Sequence, residues 1–279
     1  MTALSPAVPT VALNDGRTTP QLGYGVFQIP EDATEAAVLA ALEAGYRHLD
    51  TAAIYGNEAA VGRAIAASGV PRDELFVTTK LWIDGHGREE APRAFAASLD
   101  RLGLDHVDLY LIHWPVPATD RYVETWRALA DLRADGRARS TGVSNFTSAQ
   151  LARVIDETGV VPAVNQVELH PLLPQDEVRA ANAARGVVTQ AWSPLAQGRL
   201  DGDPTVARIA AKHGVAPALV LLRWNLDQGN VVLTKSATPA RIRQNLDALT
   251  LALDAEDAAA LAGLATGERG GPDPETFAG

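Results

Sequence analysis

Asp50, Tyr55, Lys80 and His113 are the residues on which chemistry could be built. Asp50, Lys80 and His113 each close a short run rich in β-branched and apolar residues, at 47–50, 75–80 and 107–113, and Tyr55 follows Asp50 by five positions. A tyrosine hydroxyl, with a reference pKa of about 10, is a weak acid unless the phenolate it leaves is stabilised, as a neighbouring ammonium would do. Lys80 supplies that ammonium, and Asp50 a carboxylate to keep it charged and oriented. An imidazole at His113 completes the set: it hydrogen-bonds an oxygen that acquires negative charge while Tyr55 delivers the proton. Taken singly, each residue has an ordinary structural use, since a terminal Asp caps loop amides, a Lys snorkels to water and a buried His satisfies a carbonyl. Three successive runs each ending in an ionisable group are poorly explained that way.

Such a set works only if the runs lie side by side and end at one mouth. Eight runs have the character of strands, at 22–26, 47–50, 75–80, 107–113, 139–143, 163–168, 186–191 and 230–234. Between them, apolar residues recur at helical spacing over 34–44, 58–67, 92–102, 122–134, 148–158, 175–184 and 241–249. Ser148 and Asp176 mark helix starts, and Gly45, Gly103, Gly136, Gly159 and Gly186 mark helix stops. Strict alternation of strand and helix implies a parallel sheet. Gly23-Tyr24-Gly25 is only a fragment of the Gly-x-Gly-x-x-Gly fingerprint of an open dinucleotide-binding sheet, so the eight repeats favour closure into a (β/α)8 TIM barrel. Residues 11–16 before Pro20-Gln21 predict an N-terminal β-hairpin capping the barrel's lower end. Extra helices are expected near the C-terminal part, at 206–213 and 217–226 before the eighth strand and at 255–264 after it; the Gly/Pro-rich tail 267–279 reads as loop. No linker divides the chain, so residues 1–279 are expected to form one barrel domain.

Composition narrows the partners. A formal charge of −10 argues against a global attraction to nucleic acid or anionic membrane, so an anionic ligand must be met by a local basic pocket. The absence of cysteine excludes disulfides, thiolate metal sites and thiol nucleophiles. From Met1 to Gly16 there is no basic stretch followed by an apolar run, and nowhere an apolar run long enough for a bilayer; the expectation is a soluble, cytoplasmic protein with no membrane or nucleic-acid partner. His48, His86, His106, His170 and His213 show no metal-ligand spacing, and no metal is expected.

The four reactive residues lie in longer patterns. Gly45-Tyr46-Arg47-His48-Leu49-Asp50-Thr51-Ala52, followed by Tyr55-Gly56-Asn57-Glu58 and Val61-Gly62, resembles the first signature of the aldo-keto reductases. Leu109-Tyr110-Leu111-Ile112-His113-Trp114-Pro115, Gly142-Val143-Ser144-Asn145-Phe146 and Asn165-Gln166-Val167-Glu168-Leu169-His170-Pro171 resemble the same family, and the likeness runs from the hairpin to about Leu264. It implies that Asp50, Tyr55, Lys80 and His113 are a catalytic tetrad, that NADPH/NADP+ is the cofactor, and that a hydride passes to the carbonyl of a small-molecule substrate. It implies further that Ser144, Asn145 and Gln166 hold the nicotinamide carboxamide and that Trp192 stacks on the ring, where many members have Tyr. Ser193, Leu195 and Gln197 match a loop over the pyrophosphate. Lys235, Ser236, Arg241, Gln244 and Asn245 match the signature for the adenosine 2′-phosphate and adenine, with Thr234 standing where the family usually has Pro. Phe27, Ile54, Trp82 and Trp114, with His113, occupy positions expected to wall the substrate site; core packing is the alternative use for such aromatics. The stretch Leu13-Asn14-Asp15-Gly16 and Gln21 to Phe27 looks most like the bacterial 2,5-diketo-D-gluconate reductases, which implies a keto-sugar acid or a small aldehyde or ketone as substrate. Two other readings stay open: a broad-specificity aldehyde or methylglyoxal reductase, and a nicotinamide-binding protein that regulates or supports without turnover. The oligomeric state is left open.

Overall fold

The structure is a computed structural model that describes residues 7–279; the part of the N-terminal reading that rests on residues 1–6 lies outside it. The chain opens with an antiparallel hairpin, β1 (Thr10–Ala12) and β2 (Thr18–Pro20), with Val11 opposite Thr19. Eight parallel strands follow: β3 (Leu22–Gly25), β4 (His48–Asp50), β5 (Phe76–Leu81), β6 (Val107–Ile112), β7 (Ala138–Ser144), β8 (Val164–Glu168), β9 (Val188–Trp192) and β10 (Val231–Thr234). β10 pairs with both β9 and β3, which closes the sheet into a barrel. Each lies within two residues of the run that predicts it.

Around the barrel lie α1 (Glu31–Ala44), α2 (Glu58–Ala67), α3 (Glu90–Leu102), α4 (Tyr122–Ala134), α5 (Ser148–Thr158) and α6 (Asp176–Ala184). Then come α7 (Pro204–His213), α8 (Pro217–Asp227), α9 (Pro239–Gln244) and α10 (Ala255–Ala262). Helices turn apolar stripes onto the outward-facing strand residues, as Tyr110 and Ile112 of β6 pack in one cluster with Phe95 of α3 and Trp126 and Leu129 of α4, whereas α10 packs on α7. The helices α5 and α6 begin at Ser148 and Asp176 as expected, but the residue that precedes each, rather than these two, holds the N-cap position. Thr147, not Ser148, caps α5, its hydroxyl accepting from Gln150 N while Gln150 Oε1 accepts from Thr147 N. Gln175, in a left-handed conformation with φ 53°, precedes Asp176. The segment expected as one helix over 241–249 is α9 followed by a 3-10 turn, Asn245–Leu249. The break falls where Asn245 turns its side chain inward to donate to Thr234 Oγ1 at 2.6 Å. No single helix among the described residues is long and apolar enough to cross a membrane.

Alternation along each strand sends every second side chain into the barrel, and these inward positions change character from bottom to top. In β5 they are Phe76, Thr78 and Lys80; in β8, Val164, Gln166 and Glu168; in β9, Val188, Gln190 and Trp192. At the bottom, Leu13 of the hairpin turn packs with Phe76, Leu109, Leu111 and Val164, and Asn14 Nδ2 donates to Pro162 O at 2.8 Å. The hairpin therefore plugs the lower end. A neutral polar layer lies above it: His48 Nε2 meets Thr78 Oγ1 at 3.1 Å, and Gln190 Oε1 accepts from Gln166 Nε2 at 2.8 Å. The ionised layer is at the top.

Candidate active site

Asp50 ends β4 and Lys80 lies one residue before the end of β5, so strand pairing sets their side chains beside each other inside the upper barrel. Both are buried. Lys80 Nζ donates to Asp50 Oδ1 at 2.5 Å, to Thr51 O at 2.9 Å and to Tyr55 Oη at 3.4 Å. An ammonium has three N–H donors, and here all three have acceptors, one of them the Tyr55 phenol. Asp50 Oδ2 accepts from Gln166 Nε2 at 2.9 Å, which fixes the carboxylate from across the barrel. Tyr55 ends a short 3-10 turn, Ala53–Tyr55, that Gly56 terminates with φ 68°, and its ring meets those of Phe27 at 5.0 Å and His113 at 5.7 Å between centroids. His113 follows β6, its N–H donating to Leu81 O at 3.1 Å, with Trp82 edge-on to its ring at 5.2 Å.

The protonation states follow from these surroundings. Burial pushes the Tyr55 hydroxyl up, the Lys80 ammonium pulls it down, and Asp50 pushes it up again; the net direction is up. The ease of ionisation expected from Lys80 alone is thus outweighed by burial. Tyr55 rests as a phenol, with the Lys80 ammonium against its hydroxyl. Burial would lower Lys80, but Asp50 and Tyr55 hold it above its ordinary value, as an ammonium. Burial first, and Lys80 second, keep His113 well below the usual histidine range and so neutral. Its Nδ1 is buried without a partner. A proton on Nε2 leaves only a lone pair unmet at Nδ1 and gives the ring one N–H to offer a ligand oxygen.

Among the described residues Phe27 and Ile54, at 48% and 49% exposure, are the large apolar side chains that stand open to solvent, and both flank Tyr55. Apolar surface concentrated at a reactive group marks a place where a ligand covers it. Trp82 is half-buried and Trp114 buried, the latter under Phe277 of the C-terminal tail, whose ring lies 4.3 Å from that of Trp114 and 6.1 Å from that of Trp82. The tail expected only as loop thus brings an aromatic side chain, Phe277, to the mouth.

The residues expected to hold a nicotinamide form a ledge on β7, β8 and β9. Ser144 Oγ donates to Gln166 O at 2.8 Å. Asn145, at φ 62°, donates from Nδ2 to His113 O at 3.0 Å and to Ser144 Oγ at 3.2 Å, and accepts at Oδ1 from Trp192 Nε1 at 2.8 Å. It therefore braces both the His113 backbone and the Trp192 ring. The Trp192 indole is half-buried at the edge of the mouth, beside a loop in which Ser193 (φ 50°), Ala196 (φ 51°) and Gln197 (φ 53°) are all left-handed. Leu195 packs inward from that loop. Beyond β10, Lys235, Arg241 and Gln244 are exposed, Ser236 is half-buried and Asn245 is buried against Thr234. Arg241 sits in the last turn of α9.

The closed parallel barrel thus gathers a tyrosine, a buried lysine–aspartate pair and a neutral histidine at the carboxyl ends of its strands, the end at which barrel enzymes carry their active sites. The chain belongs to the aldo/keto reductase family, whose model matches residues 19–266. It is 55% identical over 269 residues to an aldo-keto reductase of Mycolicibacterium smegmatis, covering 96% of this chain and 98% of that one. The crystal structure of an aldo/keto reductase from Brucella melitensis superposes with a TM-score of 0.90 at 53% identity, covering 92% of this chain and 98% of that one. A Gox0644 mutant crystallised in complex with NADPH superposes with a TM-score of 0.93 at 43% identity, covering 98% and 99% of the two chains.

Proposed function

We propose that this protein reduces the carbonyl group of a small molecule to an alcohol, with NADPH as the reductant and Tyr55 as the proton donor. The observation that carries this reading is the third N–H of Lys80, which reaches the Tyr55 hydroxyl while Asp50 and Thr51 hold the other two. When bound, NADPH supplies a hydride to the carbonyl carbon. The residues present fit such a cofactor: Trp192 offers an aromatic face, Ser144, Asn145 and Gln166 offer amide and hydroxyl groups beside it, and exposed Lys235 and Arg241, with Ser236, offer positive charge and donors for a 2′-phosphate. Gln244 and Asn245 lie next to them for the adenine, and Ser193, Leu195 and Gln197 for the pyrophosphate.

In this reading His113 donates its N–H to the carbonyl oxygen and orients it. Tyr55 gives its proton to that same oxygen as negative charge gathers there. Lys80 then stabilises the phenolate, and Asp50, held by Gln166, keeps Lys80 in place.

The substrate site is walled by Phe27, Ile54, Trp82, Trp114 and Phe277, all uncharged. This favours small neutral aldehydes and dicarbonyls of the methylglyoxal kind, because these five walls offer a substrate carboxylate no cation to pair with. The likeness of 13–16 and 21–27 to the 2,5-diketo-D-gluconate reductases supports the other reading, a keto-sugar acid. Steady-state rates over a panel of keto-sugar acids, dicarbonyls and aromatic aldehydes, with NADPH and NADH, separate the two. A kcat/KM for keto-sugar acids tenfold above the neutral aldehydes would select the acid. NADPH binding with no oxidation across the panel would select a non-catalytic nicotinamide-binding protein instead. Arg241→Ala is expected to weaken NADPH about tenfold, as loss of a charge-assisted contact would, and to leave NADH unchanged; equal losses in titrations with both would remove Arg241 from the phosphate site. A cytoplasmic setting suits a chain that needs no disulfide.

A further inference from the structure

We propose that Glu168 is a positioning residue for substrate binding: its carboxylate latches the C-terminal tail, and the latch seats Phe277 over the carbonyl pocket. Glu168 is the last residue of β8, two positions above Gln166, and is buried. Its Oε1 accepts from Gly270 N at 2.7 Å and faces His170 Nε2 at 2.9 Å, and its Oε2 accepts from Gly271 N at 3.0 Å. Burial alone would raise this carboxyl, yet the His170 ring and the two amides hold it below the ordinary range, so it stays an anion gripping two backbone dipoles.

The tail is fitted to this grip. A Cβ on Gly271 would lie 2.5 Å from the Trp192 ring, and one on Gly270 would lie 2.9 Å from Glu168 Oε1. Only residues without a side chain let the backbone come so close. Upstream, Thr266 N and Gly267 N donate to Leu172 O at 3.1 and 2.9 Å. Downstream, 273–277 closes on itself, with Phe277 N donating to Asp273 O at 2.9 Å and Glu275 N to Asp273 Oδ1 at 3.0 Å. Among the described residues the Glu168 latch is the last polar attachment of the tail to the barrel. Beyond it the tail is held by packing alone, with Pro274 buried beside Asn145 and Val167 and Phe277 on Trp114 and Trp82.

A single carboxylate thus decides whether the aromatic wall beside His113 is complete. Its loss frees Phe277 to leave the pocket, while Tyr55, Lys80, Asp50 and His113 keep their own contacts. The cost falls on substrate affinity rather than on the proton-transfer step.

This inference rests on the proposed carbonyl reduction, and its test has one arm that does not. Trypsin cleaves after Arg269, at the bond into the latched Gly270. Native-state digestion of the full chain should cut there at least tenfold faster in Glu168→Ala, and also in Gly271→Ala, which breaks the latch from the tail side and leaves β8 intact. On a small aldehyde turned over by the wild type, Glu168→Ala should raise KM at least tenfold, with kcat and the NADPH dissociation constant from calorimetry within about threefold. Phe277→Ala should raise KM alike, and adding Glu168→Ala to it should bring no further rise, the mark of residues acting through one another. Unchanged digestion in both latch variants, unchanged KM, or a joint collapse of kcat and NADPH affinity would overturn the proposal. A wild type inactive on every carbonyl would instead overturn the proposed function, with the digestion still reporting on the latch.

Discussion

At the bottom of the barrel Leu13, Phe76, Leu109, Leu111 and Val164 pack dry, below a neutral layer of His48, Thr78 and Gln190. At the top the same strands end in Asp50, Lys80 and Glu168, and the apolar side chains there, Phe27 and Ile54, face water. A sheet that carries charge at one end and oil at the other divides its labour. The lower end supplies stability through close packing, and the upper end gives some of that up to keep charges paired, desolvated and aimed at a ligand. The division is not absolute, because Gln166 and Gln190 run a hydrogen-bonded link from the Asp50 carboxylate down toward His48.

The division can be broken most sharply at Tyr55. Tyr55→Phe removes only an oxygen from the upper layer; kcat for carbonyl reduction is expected to fall by about 10²–10⁴, with melting temperature and NADPH affinity near wild type. Retained turnover would dismiss Tyr55 as the donor. Next is the opposite end, where Leu13→Ala empties the plug and should cost ~2–5 kcal/mol in urea unfolding while leaving kcat below the melting range unchanged. A loss of kcat in the folded variant would mean that the two ends are mechanically coupled.

The third test uses pH. Burial lowers His48 from 6.5 to about 4, and burial together with Arg121 lowers His86 to about 4. Below 6.5 the unfolded chain binds protons that the folded chain refuses until about pH 4, so stability falls as pH drops through that window and is indifferent to these groups above it. For His48 the full loss is roughly 3 kcal/mol, and His48→Gln should flatten the pH dependence of unfolding by about that much. An unaltered slope between pH 6.5 and 4 would show that the middle layer takes up protons without strain.

The barrel is written in local pattern, and the sequence reading recovers it for that reason. Each strand is a short buried run and each helix has its own apolar period, so neighbours in sequence suffice to place them. Gly45, Gly103 and Gly159 stop helices at φ 110°, 64° and 71°, as local chemistry requires. The start of α5 at Ser148 is read correctly, and the Thr147-x-x-Gln150 spacing is a legible signal for its cap; Gln175, which makes no side-chain cap, offers none. The tail was illegible for a different reason. Gly270 and Gly271 meet Glu168 across 102 and 103 residues, and Phe277 meets Trp114 over a still longer span, with no periodicity to announce either contact. A hint did exist, since Val164, Gln166 and Glu168 share the inward face of β8, and an acid there needs donors from somewhere.

The aromatic mouth also has an optical consequence. Of the five tryptophans, Trp82, Trp114 and Trp192 ring the site, whereas Trp126 and Trp224 are buried in α4 and α8. Three of the five indoles therefore lie beside the candidate site. A reduced nicotinamide seated against Trp192 would drain their ultraviolet emission by energy transfer, giving the unlabelled protein its own gauge of occupancy.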